Sequence, residues 1–299
     1  MVDLTVFAIP AFVVTMIGEA AALRRHPEHR GYEARDTRAS LTMGIVNVLI
    51  NLGMKGVQLS ILTWFAGFAR WHMDPHAWQN WLAGVVAVDF AYYWFHRSSH
   101  DVRLLWAAHI NHHSSERYNL STALRQSWTT PLTSLPFYWP LALLGFDPGL
   151  VLTLEALNTL YQYWIHTELV GRIGALEAIL NTASHHRVHH GTNVQYLDRN
   201  HAGIFIVWDR LFGTFEPEGE PVRYGLTKNI RTFNSLVIAF HEYAAIARDV
   251  RRAKSFRDAL GYVFAPPGWS PDGSTMTSRQ LRAALETPAA DDALPAMAG

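Results

Sequence analysis

The chain has 299 residues, 49% of them hydrophobic and only 17% charged, where an ordinary soluble domain carries about 25% charged residues. Lys+Arg and Asp+Glu balance at 25 each, so no basic field exists to hold a phosphate backbone, which argues against a nucleic-acid partner. The absence of cysteine removes disulfides, thiolate zinc sites, iron–sulfur clusters and cysteine nucleophiles together.

From Val2 to Leu23 only Asp3 and Glu19 are charged, over about the length that crosses a roughly 30 Å hydrocarbon core. Positive charge follows this stretch rather than preceding it, so it reads as a retained span and not as a secretory signal. Leu41–Ala69, whose only charge is Lys55, and Trp81–Phe95, which contains Asp89, are the second and third apolar stretches. Between Thr129 and His166 the chain is apolar again but broken by Pro131, Pro136, Pro140, Gly145 and Pro148. That pattern fits either a bent helical hairpin or two spans of which the first is short. A buried helical core would show the same stretches. Asp89, Glu155, Asn47, Asn51 and Asn158 keep that alternative open, because polar groups are costly in lipid.

The flanks set an expected topology. Segment 24–40 carries Arg24, Arg25, Arg30, Arg35 and Arg38, while loop 70–80 has Arg70 alone. The excess of positive charge places 24–40 in the cytoplasm. Counting forward, Phe95 and His166 emerge on that same face. Arginine outnumbers lysine 22 to 3, which suggests a GC-rich genome and a bacterial inner membrane. Beyond Pro266 the chain is rich in Pro, Ala, Ser and Asp, and 271–299 reads as a mostly disordered tail.

Eleven of the sixteen histidines fall between 96 and 201. His96 and His100 are an i, i+4 pair on one helix face. His109, His112 and His113 repeat that spacing with an added i+3 member, and so do His186, His189 and His190. One such pair would be weak; three sets point to metal. On one straight helix, His100 and His109 would be about 13.5 Å apart along the axis and half a turn out of phase. A break is therefore expected at Ser98–Asp101, with Ser99 or Asp101 capping a new helix. The third set fits a short helix capped by Thr182 or Ser184 and stopped at Gly191.

Neutral imidazole suits iron, copper, zinc and nickel. Eight histidines in three sets are too many for a single zinc, and two metals fit the count. On a membrane scaffold, such a site suits O2 activation against an unreactive C–H bond of a lipid. Two other readings stay open: a zinc-stabilised membrane scaffold, and a metal transporter, which would place histidines inside the spans.

The three sets resemble the eight-histidine signature of the sterol desaturase/fatty acid hydroxylase superfamily of membrane di-iron enzymes. Trp106–His109, His112–Glu116, Ala123–Ser127, Tyr163–Glu168, Asn181–Gly191, Trp208–Phe215, Tyr224–Thr227 and Pro266–Pro271 extend the likeness over roughly 80–270. Within the superfamily it is similar to bacterial membrane-bound C-5 sterol desaturase-like proteins and to alkylglycerol monooxygenases. One departure is Asn200-His201-Ala202-Gly203, where relatives read Asn-Tyr-Gly-Gly; it sets an extra imidazole, His201, near the ligands.

The resemblance implies an all-α integral membrane protein with about four to five transmembrane helices and a cytosolic histidine-rich helical cap holding a dinuclear metal site. It divides the chain into N-terminal transmembrane helices (1–79), a hydroxylase/desaturase-like catalytic domain (80–270) and the tail (271–299). It makes His96, His100, His109, His112, His113, His186, His189 and His190 ligands of two non-haem irons, with His166 as a further one, and leaves His185 open. Asp101 and Glu168 are the candidate catalytic carboxylates. Glu116 and Asp198 could orient ligands or be solvated loop charges. Asp89 could pair with Lys55 or a ligand. The expected reaction is O2-dependent desaturation or hydroxylation of a sterol, fatty acyl or ether lipid. Electrons would come from a separate redox protein or a diffusible reductant, a tetrahydropterin if the likeness to alkylglycerol monooxygenases is the apt one.

Overall fold

The computed structural model describes residues 4–286. Among them the fold is helical throughout, and β-structure amounts to a single bridge between Leu180 and Phe205. Helices α1 (Leu4–Leu23) and α2 (Ala34–Ala66) form over the first two apolar stretches. Glu33 caps α2, its carboxylate accepting from the Asp36 N–H at 2.7 Å, so the helix begins ahead of the apolar run. Both are long and apolar enough to cross a membrane, and only 11% of each apolar window is buried. A core helix would be buried on its apolar side. These instead leave Phe7, Val14, Ile17, Ile45, Leu49 and Trp64 exposed.

The other expected spans are helical but built differently. α3 (Trp78–Asp101) buries Val88 and Ala91 against α8 (Leu135–Leu143) and α9 (Pro148–Tyr163), with Leu62 of α2 joining the same core. The stretch 129–166 is a helical hairpin whose first arm is short, which fits both readings left open for it. A short α7 (Thr130–Thr133) leads into a nine-residue arm and a sixteen-residue arm. Asp147 caps the second arm, accepting from the Leu150 N–H at 2.9 Å.

α4 (Arg103–Ala107) begins beyond Val102, which is extended at φ −120° and ψ 117°. The break therefore lies at Val102 and not at the expected Ser98–Asp101. The reason is local: Ser99 Oγ donates one turn back to the Phe95 carbonyl at 2.9 Å, and Asp101 pairs with Arg97 at 3.5 Å. Neither side chain is free to cap. α5 (Ile110–His113) and α6 (Leu120–Ala123) follow, the latter opened by a reciprocal Asn119–Thr122 cap. α10 (Ala183–His189) starts after Thr182 as expected, but the Thr182 hydroxyl donates to Glu177 at 2.9 Å instead of capping.

The remaining helices are α11 (Val207–Phe212), α12 (Ser235–Arg252), α13 (Phe256–Phe264) and α14 (Ser278–Glu286). Within 271–299, expected to be mostly disordered, α14 corrects that expectation over 278–286. Thr277 and Gln280 open it with reciprocal bonds at 2.8 and 3.4 Å, a Thr-x-x-Gln capping box. Arg282 then donates to the Leu197 carbonyl and lies 3.9 Å from Asp198. Residues 287–299 of that stretch lie outside the described ones.

Candidate metal centre

Four short pieces of chain bring the histidines together. The C-terminal turn of α3 presents His96 and His100 with ring centres 5.4 Å apart. His109 stands at the start of α5, with His112 and His113 on it. α10 presents His186 and His189, and His190 closes it. The turn after α9 adds His166. The nine rings sort into two groups: His96, His100, His109, His113 and His189, and then His112, His166, His186 and His190. In each group the candidate donor atoms all lie within 4.8 Å of one another.

The donor spacing tests whether a metal fits. His96 Nε2 lies 2.9 Å from His109 Nε2, which is 3.1 Å from His113 Nε2. In the second group His166 Nε2 is 3.1 Å from His112 Nε2 and 3.0 Å from His186 Nε2. An imidazole nitrogen sits about 2.1 Å from a first-row metal, so two donors at right angles would be about 3.0 Å apart. Nε2 of His100, His189 and His190 are buried without a hydrogen-bond partner. Orphaned buried polar atoms are costly, and a cation in each group would engage them. A metal pair fits this donor set.

On four of the nine rings the fold holds the opposite nitrogen. His96 Nδ1 donates to the His201 carbonyl at 2.7 Å, His189 Nδ1 to the Arg199 carbonyl at 2.9 Å, and His166 Nδ1 to the Gln162 carbonyl at 2.7 Å. His100 Nδ1 lies 3.2 Å from Asp198 Oδ1. A carbonyl can only accept, so these rings carry their proton on Nδ1 and present a bare Nε2. Burial, reinforced by neighbouring imidazoles, pushes His109, His112, His113, His186, His189 and His190 well below the ordinary imidazole value. They are neutral, the form that binds metal.

Loop 198–201 thus orients three rings of the first group, and sequence reasoning missed most of it. Asp198 and Asn200 adopt φ of 50° and 56°, a left-handed region that Asn and Asp tolerate better than most residues. Asn200 Nδ2 donates to the carbonyls of His185 and Glu216 at 3.0 and 2.7 Å, and its Oδ1 accepts from the Glu216 N–H at 2.8 Å. Asp209 accepts from the N–H groups of His201 and Ala202, both at 2.8 Å, and from the Thr214 hydroxyl at 2.6 Å. Asp89 pairs with none of its expected partners among the ligands. It accepts from the N–H groups of Ile204 and Phe205, from Trp208 Nε1 and from Asn158 Nδ2, all within 2.9 Å. The Asn200–Gly203 and Trp208–Phe215 motifs were the available signal, but their roles needed coordinates.

The carboxylates divide. Asp198 contacts a ring of the first group. Asp101 does not: its side chain is 55% exposed and paired with Arg97, so it orients no ligand. Glu168 lies 3.6 Å from His29 and beside Tyr224, with burial raising its pKa. It is separated from the histidines by Tyr118, which stacks on Tyr224 at 4.8 Å and faces His190 at 5.2 Å. Glu116 packs near Gly225. His185 points away from both groups, edge-on to Phe215 at 5.3 Å. His201 joins neither group; its ring centre is 5.0 Å from that of His100, and its contribution to a ligand is its carbonyl.

Comparison with known proteins agrees with this geometry. A fatty acid hydroxylase family model matches residues 81–214. Human alkylglycerol monooxygenase is 41% identical over 269 residues, 88% of this chain and 59% of that protein. The zebrafish (Danio rerio) alkylglycerol monooxygenase is 47% identical over 238 residues, 79% of this chain and 53% of that protein. Ornithine lipid hydroxylase OlsE of Rhizobium tropici is 29% identical over 154 residues, 50% of this chain and 46% of that protein. The chain therefore spans little more than half the length of the alkylglycerol monooxygenases it matches. No solved structure matches. Because the more similar relatives are eukaryotic, the arginine-rich composition does not assign the membrane to a bacterium. Residues 81–214 carry every histidine of both groups, and they place this part of the chain in the fatty acid hydroxylase family.

Proposed function

We propose that the chain is a multi-pass membrane monooxygenase that holds one iron in each histidine group and oxidises a lipid ether of the alkylglycerol class. The carrying observation is the sorting of nine imidazoles, eight buried and His109 half-buried, into two groups with right-angle donor spacing. His96, His100, His109, His113 and His189 would hold one iron, and His112, His166, His186 and His190 the other. So held, the metals would supply O2 activation for insertion of oxygen into a lipid C–H bond. The protein's own residues fix the tautomers through loop 198–201 and Gln162, and bury the site away from water.

Monooxygenation at the carbon bearing an ether oxygen gives a hemiacetal, which breaks into an aldehyde and a glycerol. One oxygen atom of O2 enters the lipid and the other leaves as water, taking two electrons and two protons from a reductant. With no cysteine to hold an iron–sulfur cluster, that reductant is external, a tetrahydropterin or a separate redox protein. The names of the relatives favour oxygenation over the sterol desaturation also expected. The arginines of 24–40 favour a cytoplasmic site, with α1, α2, α3 and the α8–α9 hairpin as the membrane-embedded helices.

The test uses purified protein in detergent with an alkylglycerol, O2 and a tetrahydropterin. Two irons per chain and release of a fatty aldehyde are expected. A zinc-only protein that leaves host lipids unchanged would favour the scaffold reading instead.

A further inference from the structure

α12 and α13 form a helical hairpin whose outer side is left bare among the described residues. α12 docks one face through Ile238 and Ala239 against Ala39 and Met43 of α2, at the point where the long apolar helix begins. Its other side bares Leu236, Val237 and Phe240, 62, 45 and 45% exposed. α13 docks through Gly261, where the Trp269 indole packs so closely that a Cβ would lie 2.2–2.9 Å from it. The N–H of Arg103 also donates to the Ala265 carbonyl at 3.2 Å. Along its length Phe256, Leu260 and Phe264 stand at i, i+4 and i+8, 79, 43 and 55% exposed. No residue of α13 is buried.

The charge around these stripes is predominantly positive. Arg248, Arg251, Arg252, Lys254 and Arg257 are all exposed. Of the carboxylates in 235–264, Glu242 and Asp249 are each tied to Arg103 at 2.7 Å, leaving Asp258. An amphipathic helix with an apolar stripe and a cationic flank partitions into the interfacial plane of an anionic bilayer. The position fits as well: α12 docks on the first turns of α2, a helix long and apolar enough to cross a membrane.

We infer that the α12–α13 hairpin lies in the headgroup region of an anionic phospholipid bilayer. Its apolar stripes rest on the acyl boundary and its arginines and lysine lie among the phosphates. This does not depend on the metal or the reaction. It adds a second, in-plane mode of membrane contact to the spanning helices.

The absence of cysteine makes the test direct. Phe256→Cys, Leu260→Cys and Phe264→Cys, each spin-labelled in the full chain, are reconstituted in phosphatidylcholine vesicles with and without phosphatidylglycerol. With phosphatidylglycerol, the labels should gain collisions with O2 and lose them with an aqueous nickel complex. A label at the exposed Glu220 should show the reverse. Combining Arg251→Gln, Arg252→Gln and Lys254→Gln with each label should abolish the response to phosphatidylglycerol. Free nickel access at all three positions would overturn the inference. So would protection from both reagents with spin–spin broadening, which would assign the face to a second copy of the chain. Burial indifferent to phosphatidylglycerol would also refute an anionic surface.

Discussion

Asn200→Ala is the sharpest test of how the histidines are positioned. The residue is fully buried, and its side chain satisfies two carbonyls and one N–H. Removing it leaves the His185 and Glu216 carbonyls and the Glu216 N–H each one partner short, at about 1 kcal/mol each on the low side of the usual range. Alanine at φ 56° adds about 1 kcal/mol of left-handed strain. The sum is about 4 kcal/mol, among the larger effects of single substitutions. Because the same loop holds His96 and His189 through the His201 and Arg199 carbonyls, metal retention should fall as well, by about 10- to 100-fold. Thermal unfolding of the metal-free protein reads the first effect, and the rate of metal loss to a chelator reads the second. Asn200→Gly relieves the strain but does not restore the bonds, so it should recover about 1 of those 4 kcal/mol and none of the metal retention. Wild-type metal retention in both variants would refute the idea that loop 198–201 orients the ligands.

Three further outcomes are expected. His166→Ala should lower bound metal and abolish turnover, whereas His185→Ala, whose ring faces Phe215, should keep most metal; the reverse pattern in metal analysis would reverse the two assignments. Burial holds six histidines of the groups well below the ordinary value, so on acidification the unfolded chain takes up protons first, below about pH 6.5. Stability of the metal-free protein should therefore be complete above that pH and decline as pH falls; a melting temperature that rises between pH 7.5 and 5.5 would contradict the assigned neutral state. Gly203→Ala places a Cβ 2.7 Å from both Asn158 Oδ1 and Asp89 Oδ1, and should cost about 1–3 kcal/mol, visible as a lowered melting temperature and absent if the loop can simply move away.

The histidine spacing made the site legible because i, i+3 and i+4 positions share a helix face whatever surrounds them. The apolar runs made α1 and α2 legible for a similar reason, since length and composition suffice. Val102 was not legible: a β-branched residue breaks the helix where Ser99 and Asp101 seemed better suited, and only their competing bonds explain it. Asp101 and Glu168 misled because adjacency in sequence to a ligand says nothing about direction. Asp101 is turned outward by Arg97, and Glu168 is turned towards His29 and Tyr224. α14 was hidden by tail-like composition, although its Thr277–Gln280 capping box was there to be read.

Asp89 explains two of the polar residues that kept a soluble core in contention, itself and Asn158. It sits in the middle of α3, fully buried, where a carboxylate needs every lone pair engaged. One side of its network runs to the backbone of Ile204 and Phe205, and so anchors the loop whose His201 carbonyl holds His96. The other runs through Asn158 to Gln162, whose carbonyl holds His166. Tyr92 closes the path by donating to Gln162 Oε1 at 2.7 Å. One acid therefore braces a ring in each histidine group. Asn158 and Gln162 lie in an apolar hairpin because His166 of the second group hangs from them. Polarity within an apolar stretch was evidence about the site, and reading it only as a penalty against lipid missed what it supports.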